Sequence, residues 1–303
     1  MIKPVRKVSV LIPTKNRCKY LQYVIPIYLK ESEVAEVVVV VDGSTDGTLE
    51  YLEAFVKTES RVRFVSNGVN RGTPFSKNRA IDEARSPYIF IGEDDIEVTP
   101  GFFATLFDHM EATGADLISG RNIFRPEDES GQEAIARTDK MRGESVNKRT
   151  IEINTSMAIA DDRQQVMIAA PALGKTEMFR EVRFDERYKV NFWREETDQQ
   201  LSLQEAGYKL FSCPHAICYN YMIKNDRGGA RTAIGWHRVR WMIINNWRFI
   251  KKHQVFIAQH FEIGNPHIYI AKFTVKKIIT DLIMPYGSPA KHAVLRLLGK
   301  AKA

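Results

Sequence analysis

Residues 37–48 read VVVVVDGSTDGT, and this stretch decides the fold class. Five consecutive β-branched residues disfavour a helix, and the run is far too short to cross a membrane. An unbroken apolar run of this length suits a strand covered on both faces, as in a parallel sheet. Asp42 and Gly43 end it abruptly and open a turn-rich segment. Asp46 is expected to cap the next helix, a structural task. Asp42 stands directly on the strand end.

Working outward, Lys7 to Ile12 is a short apolar run stopped by Pro13, and Arg61 to Val65 and Tyr88 to Ile91 are two more strands. Helical patterns at Tyr20 to Lys30, Thr48 to Lys57 and Phe75 to Ala84 lie between them. The order βαβαβαβ implies an α/β fold with a doubly wound sheet and right-handed crossovers. Ligands on such sheets sit beyond the carboxyl ends of the strands. The segments at those ends are Pro13 to Arg17, Asp42 to Thr48 and Gly92 to Asp95.

A chain of 303 residues with 44% hydrophobic and 27% charged residues has the usage of a globular domain, which excludes global disorder and low complexity. Three cysteines without paired C-x-x-C spacing point to a reducing, cytoplasmic compartment and no structural zinc. No stretch reaches the ~18 apolar residues of a span, and the N-terminal apolar run is too short for a secretory signal. The net charge of +7 is uneven. Residues 221–303 hold 15 Lys and Arg against 3 Asp and Glu, whereas residues 1–220 hold 29 against 34. A basic tail on an acidic body suits a polyanionic partner or a solvated basic face.

Residues 119–162 are polar and weakly periodic, and read as a long insertion or mobile lid. Phe192 to Leu210 reads as loop then helix, and Thr232 to Lys252 as a long helix. Its stripe of Trp236, Val239, Ile243, Asn246, Trp247 and Ile250 is expected to pack inward.

Three clusters can carry chemistry. YIFIGEDDIEVTPGFF (88–103) places three adjacent carboxylates at a strand end, where they repel unless a cation sits among them. Mg²⁺ or Mn²⁺, shared with substrate phosphates, is the natural solution; a solvated acidic turn is the plainer one. Alternation along an extended segment would point Glu93 and Asp95 together and Asp94 away. In NFWREETDQQLSLQEAGYKL (191–210), Glu195, Glu196 and Asp198 precede a helix, and capping accounts for one better than for three. Partial burial beside Phe192 and Trp193 would lift one toward the pKa of a general base. In NRGTPFSKNRAIDEA (70–84), Arg71, Lys77 and Arg79 are candidates to face a phosphate, with Ser76 and Asn78 as ligand hydrogen-bonders, or the segment is a solvated helix face.

These clusters, with VSVLIPTKNR, VVVVVDGSTDGT and RGGAR followed by NNWRFIKKH, stand in the order that resembles the family 2 glycosyltransferases of the GT-A fold, from about Val8 to His253. The resemblance implies a Rossmann-like, mostly parallel central sheet flanked by helices. It implies a catalytic domain over residues 1–225, with a nucleotide-binding half to about 118 and an acceptor-side half from 119, and a basic helical extension over 226–303. Pro13, Thr14 and Arg17 would line the nucleotide pocket, and Asp42 would accept a hydrogen bond from the base. Lys77 stands where the family usually has Arg, contacting base or diphosphate, and Lys is not equivalent at a bidentate site. Glu93-Asp94-Asp95 aligns with the metal-binding D-x-D, so Asp95 and Glu93 would meet Mg²⁺ or Mn²⁺ and Asp94 the nucleotide. Glu196 takes the position of the catalytic base, with Glu195 as fallback. Asn220 replaces a histidine that often ligates the metal. Arg227 and Arg231 would close over the diphosphate.

The activity so implied is inverting transfer of a sugar from a nucleoside diphosphate sugar, UDP-linked first and GDP-linked second, to a hydroxyl of a glycan or lipid-linked saccharide. The alternatives are a catalytically inactive scaffold of the same fold, favoured by Glu93, Lys77 and Asn220, and a nucleotidyltransferase, which would want glycines that PTKNR lacks. Beyond Lys252 the apolar and lysine residues alternate in a pattern that fits an anionic membrane surface, packing on the catalytic domain, or a homodimer interface. Membrane binding would place the protein at the inner face of the cell membrane. Charge alone stands behind nucleic acid, so no specific nucleic-acid partner is expected.

Overall fold

The valine run is the second strand of a sheet that the rest of the chain builds outward on both sides. The computed structural model describes residues 5–141, 144–157, 164–222 and 235–283. Its first third comprises β1 (Val8–Thr14), α1 (Cys18–Leu29), β2 (Val34–Val41), α2 (Thr48–Phe55), β3 (Val62–Ser66), α3 (Thr73–Glu83) and β4 (Tyr88–Ile91). Next come β5 (Ile96–Val98), α4 (Phe102–Thr113), β6 (Leu117–Pro126), α5 (Gly131–Thr138), and the two-residue strands β7 (Val146–Asn147) and β8 (Glu152–Ile153). The chain continues with β9 (Ala172–Lys175), α6 (Thr176–Glu181), α7 (Glu195–Glu205), β10 (Leu210–Met222), α8 (Gly235–Lys252), α9 (Gln254–His260) and α10 (Pro266–Ile278).

Eight strands form one sheet in the order β3-β2-β1-β4-β9-β6-β10-β5. The ladders β1–β2, β2–β3, β1–β4 and β6–β10 are parallel, whereas β9 runs antiparallel between β4 and β6 and β5 antiparallel to β10. The valines show why the run is unbroken. Val37, Val39 and Val41 enter one core with Leu21, Val24 and Tyr28 of α1, while Val38 and Val40 enter the opposite core with Ala80 and Ile81 of α3. Each fully buried valine contributes about 1.5–3 kcal/mol through removal of its side chain from water.

The reading of 119–162 as an insertion or lid is corrected over its first residues, because β6 is a buried strand in the middle of the sheet. Its polar side chains find partners far along the chain, although Asn122 Oδ1 accepts no hydrogen bond. Arg121 donates to Asp139 and to Thr138 Oγ1, both at 2.7 Å, and Asn122 donates to the Ala170 carbonyl at 2.7 Å. A buried polar group with a partner costs little, so no apolar run is needed. Residues 158–162 lie outside the described residues.

The expectation for α8 is corrected in part. Val239 and Ile250 are buried, but Trp236 and Trp247 are 56% and 51% exposed. Asn246 is buried as expected, and Met242, Asn245 and Phe249 join the inward face, which shares a third core with Leu201 of α7 and Tyr188. Fully buried Asp198 locks this junction, accepting from Tyr188 Oη at 2.9 Å and Lys252 Nζ at 2.7 Å, with His253 Nε2 at 3.0 Å. None of the helices among the described residues is long and apolar enough to cross a membrane.

Gly120 on β6 has no room for a side chain: a Cβ there would lie 2.5 Å from the Ala216 carbonyl and 2.6 Å from the Phe102 ring. Gly120→Ala is expected to destabilise the protein by about 1–3 kcal/mol through overpacking, read as a lower midpoint in chemical denaturation with an unchanged slope.

Candidate active site

Beyond the carboxyl ends of the parallel strands lies a cavity of about 960 Å³. Pro13 and Thr14 line it from the end of β1, Asp42 from the end of β2, and Glu93, Asp94 and Asp95 from the turn between β4 and β5. Ser76 and Lys77 enter from α3, and Glu195 and Glu196 from the first turn of α7. Arg17, just before α1, completes the set.

Asp42 clamps the facing loop. Its carboxylate accepts from Asn67 Nδ2 at 2.8 Å, the Arg71 amide at 2.7 Å and the Gly72 amide at 2.9 Å. Two of these fall on Oδ1 and one on Oδ2, so Oδ2 keeps an acceptor position for a further donor. The approach is close enough that a Cβ at Gly43, where φ is +71°, would lie 2.7 Å from the Asn70 backbone nitrogen. Asp46 accepts from the Cys18 amide at 2.9 Å and from Thr48 Oγ1 at 2.5 Å, tying the starts of α1 and α2 together.

The acidic segment is a turn rather than an extended strand, so strict alternation does not apply. Arg17 Nη1 donates to Asp94 Oδ1 at 2.6 Å and to Asp95 Oδ2 at 2.8 Å, bringing together two side chains that alternation would separate. Thr14 Oγ1 donates to Asp94 Oδ2 at 2.7 Å. Glu93 faces other charges: burial first, then Glu196 and Asp95, push its carboxyl up to about 8. Burial, with Asp95 adding to it, pushes Asp94 up to about 6 although Arg17 opposes the rise.

Lys77 is 2% exposed, and its ammonium lies 2.7 Å from both Glu195 Oε1 and Glu196 Oε1. Burial works against its charge, yet the two carboxylates outweigh burial and hold it protonated above the ordinary lysine range. Burial pushes Glu195 up to about 7 against the pull of Lys77. The side chain of Glu196 is 35% exposed to the cavity. Of the other candidates in 70–84, Arg71 and Ser76 line the cavity, while Arg79 donates to the Ser66 carbonyl and Asn67 Oδ1, both at 2.7 Å. Asn78 is engaged with Phe184 and Glu186. Asn220 sits on β10 opposite Ile96 and does not line the cavity. Arg227 and Arg231 lie outside the described residues.

Sequence reasoning missed Arg194. It precedes α7 with φ +76°, and donates to the carbonyls of Ile151 and Thr150, to Asn246 Oδ1 at 3.2 Å and to Tyr269 Oη at 3.3 Å. The C-terminal helices α8 and α10 thereby fix the start of α7. Val190 and Phe192 also have positive φ, and left-handed non-glycine residues cost roughly 1–3 kcal/mol each. His237 and Trp241 of α8 reach the cavity as well, with no local sequence signal to mark them.

The donor chemistry fits a hard divalent cation. Asp95 has one oxygen on Arg17 and keeps the other, and Glu93 and Asp94 are raised by burial first and by neighbouring carboxylates second, both of which a bound cation would offset. Among the described residues no three His, Cys, Asp or Glu side chains converge on one point. The remaining ligands would therefore come from substrate phosphates and water, the usual arrangement for Mg²⁺.

Because Glu93, Glu195 and Asp94 have folded-state pKa values above their unfolded ones, the folded protein binds more protons between about pH 4 and pH 8. Stability therefore falls as pH rises through that window. With chelator present, the thermal midpoint is expected to decline from pH 5 to pH 8, and Glu93→Gln to flatten the upper part of the decline; a midpoint rising over the same range refutes the charge arrangement.

A family model, glycosyl transferase family 2, matches residues 9–164. Glycosyltransferase GlyG of Streptococcus pneumoniae serotype 4 is 31% identical over 125 residues, 41% of either chain, so the match spans less than half of that relative. Among solved structures, S. aureus TarS in complex with UDP-GlcNAc superposes with a TM-score of 0.58 at 15% identity, covering 92% of this chain and 74% of the other. The mannosyltransferase PcManGT from Pyrobaculum calidifontis, in complex with GDP-Man and Mn²⁺, gives a TM-score of 0.59 at 16% identity, covering 97% and 79%. At these identities the likeness concerns the fold.

Proposed function

The chain belongs to glycosyl transferase family 2, and from that premise we propose that it moves a sugar from a nucleoside diphosphate sugar to an acceptor hydroxyl with inversion. UDP is the first choice of nucleotide and GDP the second. The acceptor is a glycan or a lipid-linked saccharide, and the place of action is the cytoplasmic side. The observation that carries this reading is one cavity in which an acidic turn, Asp42 and the first-turn carboxylates of α7 converge from distant parts of the chain.

Asp42, with its remaining acceptor position on Oδ2, would receive the base, and Pro13, Thr14 and Arg17 would border the nucleotide. Asp95 and Glu93 would hold Mg²⁺ or Mn²⁺, which supplies charge stabilisation for the leaving diphosphate. Arg71, Lys15 and Lys189, which line the same cavity, offer positive charge toward that diphosphate. Arg227 and Arg231 remain candidates for the same task from outside the described residues.

Lys77 serves the carboxylates rather than a phosphate. Its ammonium touches both Glu195 and Glu196, so the Lys-for-Arg departure is matched by partners of its own. Glu196, the more exposed of the two, would take the proton of the acceptor hydroxyl as it attacks, while Glu195 holds Lys77 from the buried side. A single displacement needs no covalent intermediate and inverts the anomeric centre.

Donor binding is tested by thermal shift with UDP, GDP, dTDP and CDP, each with Mn²⁺, Mg²⁺ or chelator. One nucleotide should raise the midpoint by several degrees, with metal required and the effect lost in Asp95→Ala. Glu196→Gln should keep that shift while transfer or donor hydrolysis falls by about 10²–10⁴-fold. Undiminished turnover by Glu196→Gln would remove it as the base, and silence for every nucleotide would remove the donor site.

A further inference from the structure

Among the described residues, α8 carries a surface that neither the core nor the cavity uses. Its inward face, with Val239, Met242, Asn246, Phe249 and Ile250, is fixed on the body of the protein. On the outward side, Trp236 and Trp247 are more than half exposed, 56% and 51%. Arg240 is exposed between them, and Ile244 and Lys251 are partly exposed. At about 100° per residue, Trp236, Arg240, Trp247 and Lys251 fall within roughly 60° of helix circumference. This is one stripe, about four turns long.

Charge decides what the stripe fits. From Gly235 to Phe261 the sequence contains no Asp or Glu. α10 repeats the composition, with exposed Ile268, Lys272, Val275 and Lys276 and no acidic residue. Indole rings among cations, without a carboxylate, match the layer in which lipid headgroups carry negative charge and the acyl boundary begins. A second copy of the same stripe would bring Arg240 and Lys251 against like charges.

We propose that this face of α8 docks the protein on an anionic lipid bilayer, Trp236 and Trp247 entering the headgroup layer and Arg240 and Lys251 pairing with lipid phosphates. The consequence for the site rests on the glycosyltransferase reading. His237 and Trp241, on an adjoining flank of the helix, line the cavity. Docking would hold the cavity mouth beside the lipid surface, which selects an acceptor saccharide carried on a lipid phosphate over a free one.

The test is co-sedimentation of the full chain with vesicles of phosphatidylglycerol and phosphatidylcholine, against phosphatidylcholine alone, together with quenching of tryptophan emission by brominated lipid. The full chain should bind the anionic vesicles at least tenfold more tightly, with quenching, and lose most of that binding at high salt. The double variant Trp236→Ser, Trp247→Ser should bind at least tenfold more weakly and lose the quenching while keeping its thermal midpoint. Arg240→Glu with Lys251→Glu should abolish the preference for anionic lipid. Absence of binding, undiminished binding by the tryptophan variant, or a dimer in light scattering that the tryptophan variant dissolves would each overturn the proposal. Vesicle binding without any nucleotide response would leave docking in place and sink the donor site; a nucleotide response without vesicle binding would do the reverse.

Discussion

The ammonium of Lys77 lies between Glu195 and Glu196, 2.7 Å from an oxygen of each, and joins α3 to the first turn of α7 across more than a hundred residues of sequence. Three ionisable groups in a nearly dry place would ordinarily be costly, because each loses its hydration. They are tolerated because the lysine is shared. Glu195, the buried partner, is pushed up to about 7, and Glu196 keeps a side open to the cavity. Removing the lysine would leave two like charges side by side at a helix start, so the position of α7 relative to β1, β2 and β4 depends on this contact.

A second cation does the equivalent work on the other side of the cavity. Arg17 gathers Asp94 and Asp95 onto one nitrogen, and Thr14 fixes the far oxygen of Asp94. The result is a floor in which carboxylates outnumber the cations that hold them, with Glu93 pushed up to about 8 by burial first and by its carboxylate neighbours second. A site built in this way is poised to accept positive charge from outside, and the rim residues Lys15, Arg71 and Lys189 leave room for an anion beside it. The C-terminal helices take part in the same geometry, because Arg194 draws α7 against Asn246 of α8 and Tyr269 of α10.

Much of the N-terminal third is legible in the chain because its strands are buried on both faces. Val37 to Val41 divide alternately between two cores, and Tyr88 to Ile91 begin and end where the apolar run does. β6 shows the opposite case. Ser119, Gly120, Arg121 and Asn122 look like loop, yet they lie in a central strand because Thr138, Asp139 and Ala170 satisfy them from elsewhere. The same distinction separates Trp247 from Phe249: their spacing along α8 is helical in either case, and only the body against which the helix lies decides which of them faces water.

By itself the sequence determined the order of the first strands and helices, the strand ends that carry Asp42 and Glu93 to Asp95, and the carboxylate pair at the head of α7. Those features follow from local rules: period, chain stiffness, turn chemistry and the crowding of like charges. Tertiary structure alone decided that Arg17 holds Asp94 and Asp95 together, that Lys77 pairs with Glu195 and Glu196, and that Arg194 anchors α7 to the C-terminal helices. Each of these is a pairing of buried charge or of buried donors with distant acceptors, and the partner of a buried charge is chosen by which side chains the packed elements bring within about 3 Å, a distance no local pattern encodes.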